Sequence, residues 1–374
     1  MTNRVLSPNG WFGTIRSPQC QVSTDTRAVR ESEQLDWGNV EAWLREQLPG
    51  AKVPGLDLTL PFAVEQFPGG HSNLTYLVRF GGTELVLRRP PLGPVAPTAH
   101  DMAREFRWLS AVHPSYPLAP RAFALCDDVS IVGSIFYVME RRHGVVVRHD
   151  EPPQISERPD VRHAVSASLV DALADLHGID LERAGLLHLG KPAGFVERQV
   201  RGWSDRWQRS KTTEVPEMDR LAQWLIAELP PNPIRPAVVH GDFKLDNLML
   251  DAGRPERLVA VFDWEMSALG DPLVDLGILL AYWVSIAPAG SDALSTVTSR
   301  PGWFTRDELI DRYQARSGRD LSRLLYFEVF ALFKIAVVIQ QIYYRFAIGQ
   351  TDDPRFARFG DRVLALARQA VSRL

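Results

Sequence analysis

Cysteine is scarce in this sequence, which holds only Cys20 and Cys126 among its 374 residues. No CxxC pair and no cluster of histidine and cysteine at metal-ligand spacing accompanies either of them. The pattern argues against a disulfide framework and against a zinc site. It favours a reducing compartment, so we expect a cytoplasmic location.

An excess of charge of one sign is also missing. The chain carries 42 basic and 45 acidic residues, and a formal net charge of −3 gives no field that points to nucleic acid. Residues 1–10 lack the apolar core of a signal peptide, and no stretch approaches the roughly 20 apolar residues of a membrane span. We therefore predict neither nucleic acid nor a membrane as a partner, and the oligomeric state is not indicated.

Apolar residues make up 45% of the chain, which is enough for the cores of two lobes. Residues 1–34 show no sustained periodicity and are predicted to form an extension. Residues 35–140 have the pattern of short strands joined by tight turns, and residues 141–374 have the periodicity of long helices. The sequence thus predicts an α+β fold with a small antiparallel-sheet N-lobe and a larger, mainly helical C-lobe.

Turn signals and periodicity give the bounds of the predicted elements. In the N-lobe we predict helices over residues 37–48 and 101–112, and strands over residues 58–64, 74–80, 84–88 and 131–139. In the C-lobe we predict helices over residues 160–177, 271–283, 305–317, 321–348 and 354–373, and strands over residues 236–240 and 258–262. Polar residues follow both C-lobe strands at once.

An acid and an amide follow the first of these C-lobe strands, within the segment VVHGDFKLDNLM. Phosphoryl transfer needs a carboxylate near the attacking hydroxyl, and an amide oxygen five residues later can hold Mg²⁺ against nucleotide phosphates. The spacing predicts Asp242 as a catalytic residue and Asn247 as a metal ligand. The alternative is a structural His-Gly-Asp turn that caps a helix.

The pattern His240-x-Asp242-x-x-x-x-Asn247 resembles the catalytic loop of kinases, with Gly241 in place of an arginine. This glycine form resembles the aminoglycoside phosphotransferase and choline kinase families. The runs LVLRRPP, CDD and FYVME, which begin at residues 85, 126 and 136, are similar to the phosphotransferase domains related to those fused to acyl-CoA dehydrogenases. The resemblance implies a bilobal protein-kinase-like fold, ATP use and a cytoplasmic location.

Asp263 stands 16 residues after Asn247, at the end of the second polar-ended strand. It has the place of the metal-binding aspartate of kinases, and the resemblance implies that it holds Mg²⁺, which prefers oxygen ligands. The resemblance also implies that Lys244 steadies the transferred phosphoryl group, with a solvated lysine as the alternative. We expect Asp271 to cap a helix and Asp275 to brace the catalytic loop.

A glycine-containing turn of the N-lobe resembles a phosphate loop. Its residues Gly69, Gly70, Ser72 and Asn73 offer N–H groups and side-chain donors that could fold over the nucleotide phosphates. A plain hairpin turn is the alternative.

Two further N-lobe features complete the resemblance to a nucleotide site. Arg88 has the place of the phosphate-binding lysine, and Glu105 on the next helix is its expected partner, although an arginine fork is not interchangeable with an ammonium. Met139, Glu140 and Arg141 resemble the hinge, where backbone groups pair with adenine. A plain interdomain linker is the alternative for the hinge.

These features predict an enzyme that transfers the γ-phosphoryl group of ATP, with Mg²⁺, to an alcohol group of a small molecule. Helical sequence resumes soon after Asp271, which leaves little platform for a peptide substrate. Because Arg88 replaces a lysine, an ATP-binding pseudokinase without turnover is the competing prediction.

The insert at residues 195–211 bears on the acceptor. It combines an apolar stripe with an excess of basic residues, and a buried stripe with a solvated basic face is the plainer interpretation. If basic groups face the cleft instead, they favour an anionic or partly apolar acceptor, such as a hydroxylated acyl thioester, over a polycationic aminoglycoside.

Overall fold

The computed structural model of this protein describes residues 25–68, 73–91, 101–148, 150–283 and 297–374. The predicted phosphate-loop residues Gly69, Gly70 and Ser72 lie outside the described residues. Within these ranges the helices are α1 (Trp37–Ala51), α2 (Met102–Val112), α3 (Pro159–His177), α4 (Phe195–Ser210), α5 (Pro216–Ala227), α6 (Leu273–Tyr282), α7 (Arg306–Ser317), α8 (Leu324–Ala347) and α9 (Phe359–Val371). The strands are β1 (Phe62–Gln66), β2 (Leu74–Phe80), β3 (Thr83–Arg89), β4 (Ala122–Cys126), β5 (Phe136–Glu140), β6 (Val145–Val146), β7 (Ala237–Val239), β8 (Leu248–Leu250), β9 (Leu258–Val261) and β10 (Ala268–Gly270).

The N-lobe is built on an antiparallel sheet with the strand order β1-β2-β3-β5-β4. Successive side chains of a strand point to opposite faces, and the sheet therefore contributes to two cores. Leu85 and Leu87 of β3 pack in the core that includes residues of α1. Val86 belongs to the core shared with α2 and the C-lobe. Arg88, two residues beyond Val86, consequently lies on the face of the sheet toward α2 and the cleft.

Helix α8 is the centre of the C-lobe, with α4, α5, α6 and α9 packed around it. It is long and apolar enough to cross a membrane by length and composition, with a mean hydropathy of 1.7 over its most apolar window. This corrects the expectation that no stretch approaches that length. However, 78% of the window is buried inside the protein, because a helix enclosed by other helices is apolar on every side.

Short antiparallel strands position the polar loops of the C-lobe. β7 pairs with β10, while β6, β8 and β9 form a separate three-stranded sheet. The backbone N–H of Phe262, at the exit of β9, donates to the carbonyl of Asn247 at 2.8 Å. The two polar strand ends that stood out in the sequence are therefore neighbours in space.

The α+β class and the bilobal kinase-like architecture are confirmed, with several corrections to the element bounds. β4 was not predicted, because its sequence AFALC is rich in residues that also favour helices. The strand predicted from residue 131 begins at Phe136, since Gly133 lies in a turn at φ +78°. The strand predicted over residues 58–64 is β1, four residues later at its start.

Helix bounds also differ from the predictions, most at the end of α1 and at the starts of α8 and α9. α1 runs through Pro49 to Ala51, because a proline in the last turn removes only one hydrogen bond, and Lys52 then ends the helix in the left-handed conformation. α9 begins at Phe359, after a separate short turn. The capping box predicted at Thr305 is present, with both hydrogen bonds to Glu308.

Part of the predicted N-terminal extension packs on the N-lobe. The backbones of Arg27 and Gln66 exchange two hydrogen bonds, of 2.9 and 2.7 Å, at the edge of β1. The Arg30 N–H also donates to Oε1 of Gln66 at 3.0 Å. A single backbone pair leaves no periodicity in the sequence. This explains why the sequence predicts no secondary structure for residues 25–34. The proposed domain bounds after residues 34 and 140 stay predictions.

Candidate active site

The loop after β7 has a fixed backbone. His240 is fully buried, and its Nε2 lies 2.9 Å from the carbonyl of Phe262 while its Nδ1 lies 3.2 Å from the backbone N–H of Asp242. These partners correspond to a neutral imidazole that donates from Nε2 and accepts at Nδ1. Gly241 has a φ of +84°, and a Cβ there would stand 2.7 Å from the carbonyl oxygen of Met266. Only glycine fits this turn without strain.

Asp275 of α6 braces this loop, as predicted. Its two carboxylate oxygens accept the backbone N–H groups of His240 and Gly241, each at 2.7 Å. Nε2 of His177, which the sequence did not single out, lies 3.1 Å from Oδ2 of Asp275. Burial alone would raise the pKa of Asp275, but the hydrogen bonds that its carboxylate accepts from His177 and from the backbone N–H of His240 hold that pKa below its usual value. The brace therefore stays ionised in the protein interior.

Asp242 is held from two sides. Nδ2 of Asn247 donates to the backbone carbonyl of Asp242 at 2.9 Å and to its Oδ2 at 3.0 Å. Nζ of Lys244 lies 3.0 Å from the same Oδ2. Burial would lower the pKa of Lys244, but the Asp242 carboxylate raises it well above its usual value, so this lysine is an ammonium. The three residues predicted from the sequence motif thus form one hydrogen-bonded group.

Asp263 follows β9 in a left-handed conformation, with a φ of +71° that non-glycine residues rarely adopt. Its Oδ1 accepts from Nη2 of Arg88 at 2.9 Å. Burial would raise the pKa of Asp263, but the Arg88 guanidinium keeps it below its usual value. The strained turn and the ion pair together hold an ionised carboxylate in the cleft between the lobes.

Arg88 also contacts Glu105 of α2, as predicted, with 3.2 Å between Nη1 and Oε1. Glu105 is only 1% exposed, and this burial raises its pKa to about 7 even though the neighbouring Arg88 charge opposes the shift. Arg88 therefore bridges a buried carboxylate of the N-lobe and a carboxylate of the C-lobe.

A cavity of 510 Å³ lies between the lobes and collects most of the predicted nucleotide residues. Asp242, Lys244 and Glu105 are not among the residues that line it. Glu105 reaches the cavity only through Arg88. The site residues predicted from the sequence that do line the cavity are Asn73, Arg88, Met139, Glu140, Arg141, Asn247 and Asp263.

The side chains of the predicted hinge are engaged at the rim of this cavity. The guanidinium of Arg141 lies 4.8 Å from the ring centre of Phe67 and 2.5 Å from the carboxylate of Asp25. Oε2 of Glu140 accepts from the backbone N–H of Arg121 at 3.1 Å. Asp25 belongs to the N-terminal segment and lines the cavity, so that segment reaches the candidate site. No pattern in the sequence indicates this contact.

Asn73 is the described member of the predicted phosphate loop. It is buried, and its Nδ2 donates to Oε2 of Glu265 at 3.3 Å. Burial and the nearby Asp263 charge raise the pKa of Glu265. Asn73 therefore ties the base of the loop to the segment that follows Asp263.

The oxygen donors of the cavity suit a hard divalent cation. Asn247 uses its amide nitrogen to hold Asp242, which leaves the amide oxygen for a cation, and Asp263 accepts from Arg88 through its Oδ1 atom. No group of three or more His, Cys, Asp or Glu residues in the described ranges could hold a metal alone. Mg²⁺ commonly takes one or two protein oxygens and completes its shell with phosphates and water, so Asn247 and Asp263 fit it.

Comparisons with known proteins identify the family of this chain. The profile of the phosphotransferase enzyme family (APH) matches residues 63–325. Acyl-CoA dehydrogenase family member 11 of Rattus norvegicus is 35% identical over 335 residues, which are 88% of this chain and 42% of that protein. The chain thus spans less than half the length of the curated relatives it matches.

Solved structures share the fold. A Ralstonia eutropha protein assigned as an aminoglycoside phosphotransferase is 30% identical with a TM-score of 0.76, over 91% of this chain and 98% of that one. The complex of APH(2″)-IIIa with GDP and kanamycin is 15% identical with a TM-score of 0.59, over 89% and 98%. Choline kinase of Cryptosporidium parvum is 12% identical with a TM-score of 0.60, over 90% and 96%. The profile covers more than half of the sequence, and we conclude that this chain belongs to the phosphotransferase enzyme family.

Proposed function

We propose that this chain transfers the γ-phosphoryl group of ATP, with Mg²⁺, to a hydroxyl group of a small molecule. One observation carries the proposal: Asn247 contacts Asp242 directly and lines, together with Asp263 and Arg88, a single cavity. A volume of 510 Å³ is suited to a nucleotide. A structural turn would not need this convergence of a carboxylate, an amide, a second carboxylate and a cation.

Asp242 is the proposed catalytic carboxylate. Asn247 and Lys244 both contact its Oδ2, so Oδ1 is the atom that would accept the proton of the acceptor hydroxyl. The braced backbone at Gly241 limits the movement of this carboxylate, and positioning is the larger part of catalysis in phosphoryl transfer. Lys244 would steady the transferred group as a permanent cation.

Asn247 and Asp263 are the proposed ligands of Mg²⁺, which when bound would neutralise charge on the phosphate oxygens. Arg88 would donate to the phosphates while Glu105 anchors it from α2. Part of the Arg88 contact with Asp263 would then give way to the nucleotide.

The remaining nucleotide contacts are proposed on the N-lobe. Backbone groups of Met139, Glu140 and Arg141 would pair with adenine. Gly69, Gly70, Ser72 and Asn73 would cover the phosphates. GDP in the APH(2″)-IIIa complex makes GTP the natural comparison nucleotide for ATP.

The acceptor is proposed to be anionic or partly apolar. The stripe of α4 is buried, which confirms the plainer interpretation of the insert: Val196, Val200, Trp203 and Trp207 are at most 6% exposed. Arg201 pairs with Glu197 on the same helix rather than reaching the cleft. The proposal therefore depends on Lys244 beside Asp242, since a cation there disfavours a polycationic acceptor.

A hydroxylated acyl thioester is our first candidate within that class, because curated relatives carry names of acyl-CoA dehydrogenases. We propose neither nucleic acid nor a membrane as a partner, and a cytoplasmic location stays a prediction.

The test combines Mg-ATP binding with an acceptor screen. The wild type should bind ATP in a Mg²⁺-dependent manner and phosphorylate a member of a panel of hydroxyacyl thioesters, choline and kanamycin. Asp263→Ala should lose the Mg²⁺ dependence of binding, whereas Glu256→Ala, an exposed residue just before β9, should not.

Three results would contradict parts of this account. Unchanged Mg-ATP affinity in Asp263→Ala would remove Asp263 from the metal site. Equal turnover of kanamycin and hydroxyacyl thioesters would overturn the acceptor class. If the protein binds nucleotide but neither hydrolyses ATP above background nor phosphorylates any acceptor of the panel, the result would instead favour a pseudokinase.

A further inference from the structure

A lysine lies buried in the middle of α8, a place where a charge is costly. Lys334 is 6% exposed and stands between fully buried apolar neighbours such as Phe333 and Ala336. Moving an ammonium out of water costs several kcal/mol unless partners replace the lost hydration. It is one of five lysines in a chain that otherwise takes its positive charge from arginine. A specific partner is therefore expected.

That partner is the loop that carries Asp242. Nζ of Lys334 donates to the carbonyl oxygen of Gly241. It also lies 5.3 Å from the ring centre of Trp203, on the inward face of α4. The lysine thus links two helices of the C-lobe to one peptide of the loop.

The peptide that Lys334 holds is the one between Gly241 and Asp242. A peptide unit is planar, so fixing its carbonyl oxygen also fixes the N–H at its other end. That N–H belongs to Asp242 and donates to Nδ1 of His240. The preceding N–H, of Gly241, is fixed by Asp275. With Lys334 in place, both the N–H and the C=O of Gly241 have partners.

We infer that Lys334 is a positioning residue for the reaction: its ammonium sets the plane of the Gly241–Asp242 peptide and so the direction in which Asp242 presents its carboxylate. This inference rests on the proposed phosphoryl transfer, since it concerns the same loop. Lys334 acts through the backbone and need not touch nucleotide or acceptor.

The charge state of Lys334 offers a readout that plain packing would not provide. Burial lowers the pKa of Lys334 to about 8; the Asp242 and Asp275 carboxylates oppose this shift, and the Lys244 and Arg206 cations add to it. The ammonium therefore predominates below pH 8 and is lost as the pH rises through this value. A neutral amine is a weaker donor to the Gly241 carbonyl.

The test compares wild type, Lys334→Met and Lys191→Met, which removes an exposed lysine. Methionine keeps the length and apolar stem of lysine without the ammonium. The probe reaction is Mg²⁺-dependent hydrolysis of ATP, with water as the acceptor, followed from pH 6.5 to 9. Nucleotide affinity and urea unfolding are measured in parallel.

Lys334→Met should lower the hydrolysis rate by at least about tenfold, since a shift of 1 Å can cost on the order of 100-fold, with ATP affinity within about twofold of wild type. The wild-type rate should fall as the pH passes about 8, and the variant should lack this fall. Lys191→Met should match the wild type in all respects.

Wild-type turnover in Lys334→Met, or a parallel loss of ATP affinity and folding, would overturn the inference. If the variant does not fold, the wild type still decides: lysine-labelled NMR follows the Lys334 titration, and a hydrolysis rate that does not fall with it contradicts the positioning role. Absence of Mg²⁺-dependent hydrolysis in wild type and Lys191→Met alike would instead mark failure of the proposed function itself.

Discussion

Arg88 pairs with Glu105 of α2 within the N-lobe and with Asp263 after β9, and the second of these ion pairs joins the two lobes. A lysine would offer a single point charge, whereas the guanidinium fork gives one nitrogen to each carboxylate. An arginine at the place of the kinase lysine therefore allows one side chain to contact both carboxylates. It does not by itself argue against catalysis.

Removal of Arg88 should leave Glu105 buried without its cation. We expect Arg88→Met to lower the free energy of unfolding by about 3–5 kcal/mol, because breaking one partner of a buried pair exposes the desolvation cost of the other. Arg88→Met combined with Glu105→Gln should recover part of that loss. Urea unfolding of both variants measures it.

Arg79→Met is the matched control on the same sheet. Arg79 pairs with Glu65 at the surface with 31% of its side chain exposed, so its loss should cost at most about 1 kcal/mol. Equal stabilities of Arg88→Met and Arg79→Met would show that the Arg88 bridge contributes no more than a surface pair.

Asp271 provides a prediction of pH dependence at one residue. The N-cap of α6 is Pro272, not Asp271 as expected from the sequence. Asp271 is buried, its Oδ1 accepts the Leu273 N–H at 2.9 Å, and burial raises its pKa to about 6. Between the ordinary value of 3.8 and about 6, the folded protein keeps a proton that the unfolded chain has lost. Ionisation of Asp271 therefore lowers stability as the pH rises through this window.

Asp271→Asn keeps an acceptor for the Leu273 N–H and removes the ionisation. Its unfolding free energy relative to the wild type should rise from pH 4 to about 6 and then level off. Asp160→Asn, at an exposed position on α3, should show no such trend. A relative stability of Asp271→Asn that is constant from pH 4 to 7 would refute the buried ionisation.

At the scale of elements, the close crossing of α6 and α8 depends on a glycine. A Cβ on Gly277 would stand 2.5 Å from the carbonyl oxygen of Phe327 in α8, where no flexible atom can move aside. We expect Gly277→Ala to lower the unfolding free energy by about 1–3 kcal/mol through overpacking, despite the better helix propensity of alanine.

Gly50→Ala in α1 is the control for propensity alone. No atom lies within 4 Å of a Cβ built at Gly50, so alanine should stabilise the protein by about 0.4–1 kcal/mol. Thermal unfolding of the two variants should therefore give shifts of opposite sign, and shifts of the same sign would contradict the tight crossing.

Sequence patterns predicted correctly those elements whose pattern of residues is contained in a short stretch of chain. The strand exits before Asp242 and Asp263, the capping box at Thr305 and the helical stripe of α4 are of this kind. β4 was missed because alanine and leucine leave its type ambiguous over five residues. The bounds of short strands depend on pairing partners that a single sequence does not reveal.

Contacts between distant residues explain what the sequence left out of the site. His177 and Asp275 are 98 positions apart, and Lys334 and Gly241 are 93 apart, so no local spacing joins them. A polar residue inside an apolar helix is the one signal that Lys334 offered. Asp25 reaches the hinge through a single backbone pairing near Arg27, which has no pattern at all.

At the scale of the whole molecule, two hydrophobic cores support the two sides of the cavity in which we propose that nucleotide binds. One core lies between α1 and the sheet, and the other runs from α2 through the C-lobe. The ion pair of Arg88 with Asp263 and the hydrogen bond between Asn73 and Glu265 connect the two lobes across the cleft. Order of the cleft thus depends on charged contacts, which a bound nucleotide can rearrange.

The central claim is tested most directly by the rate at which Asp242→Asn forms ADP from ATP by Mg²⁺-dependent hydrolysis. The affinity of the variant for ATP is measured alongside. Asparagine keeps the shape of the side chain and removes its capacity to take a proton. We predict a rate lower by about 10²–10⁴-fold than that of wild type, with ATP affinity within about threefold, because Asp242 does not line the nucleotide cavity. Equal rates for Asp242→Asn and wild type would contradict the assignment of this loop as the catalytic centre.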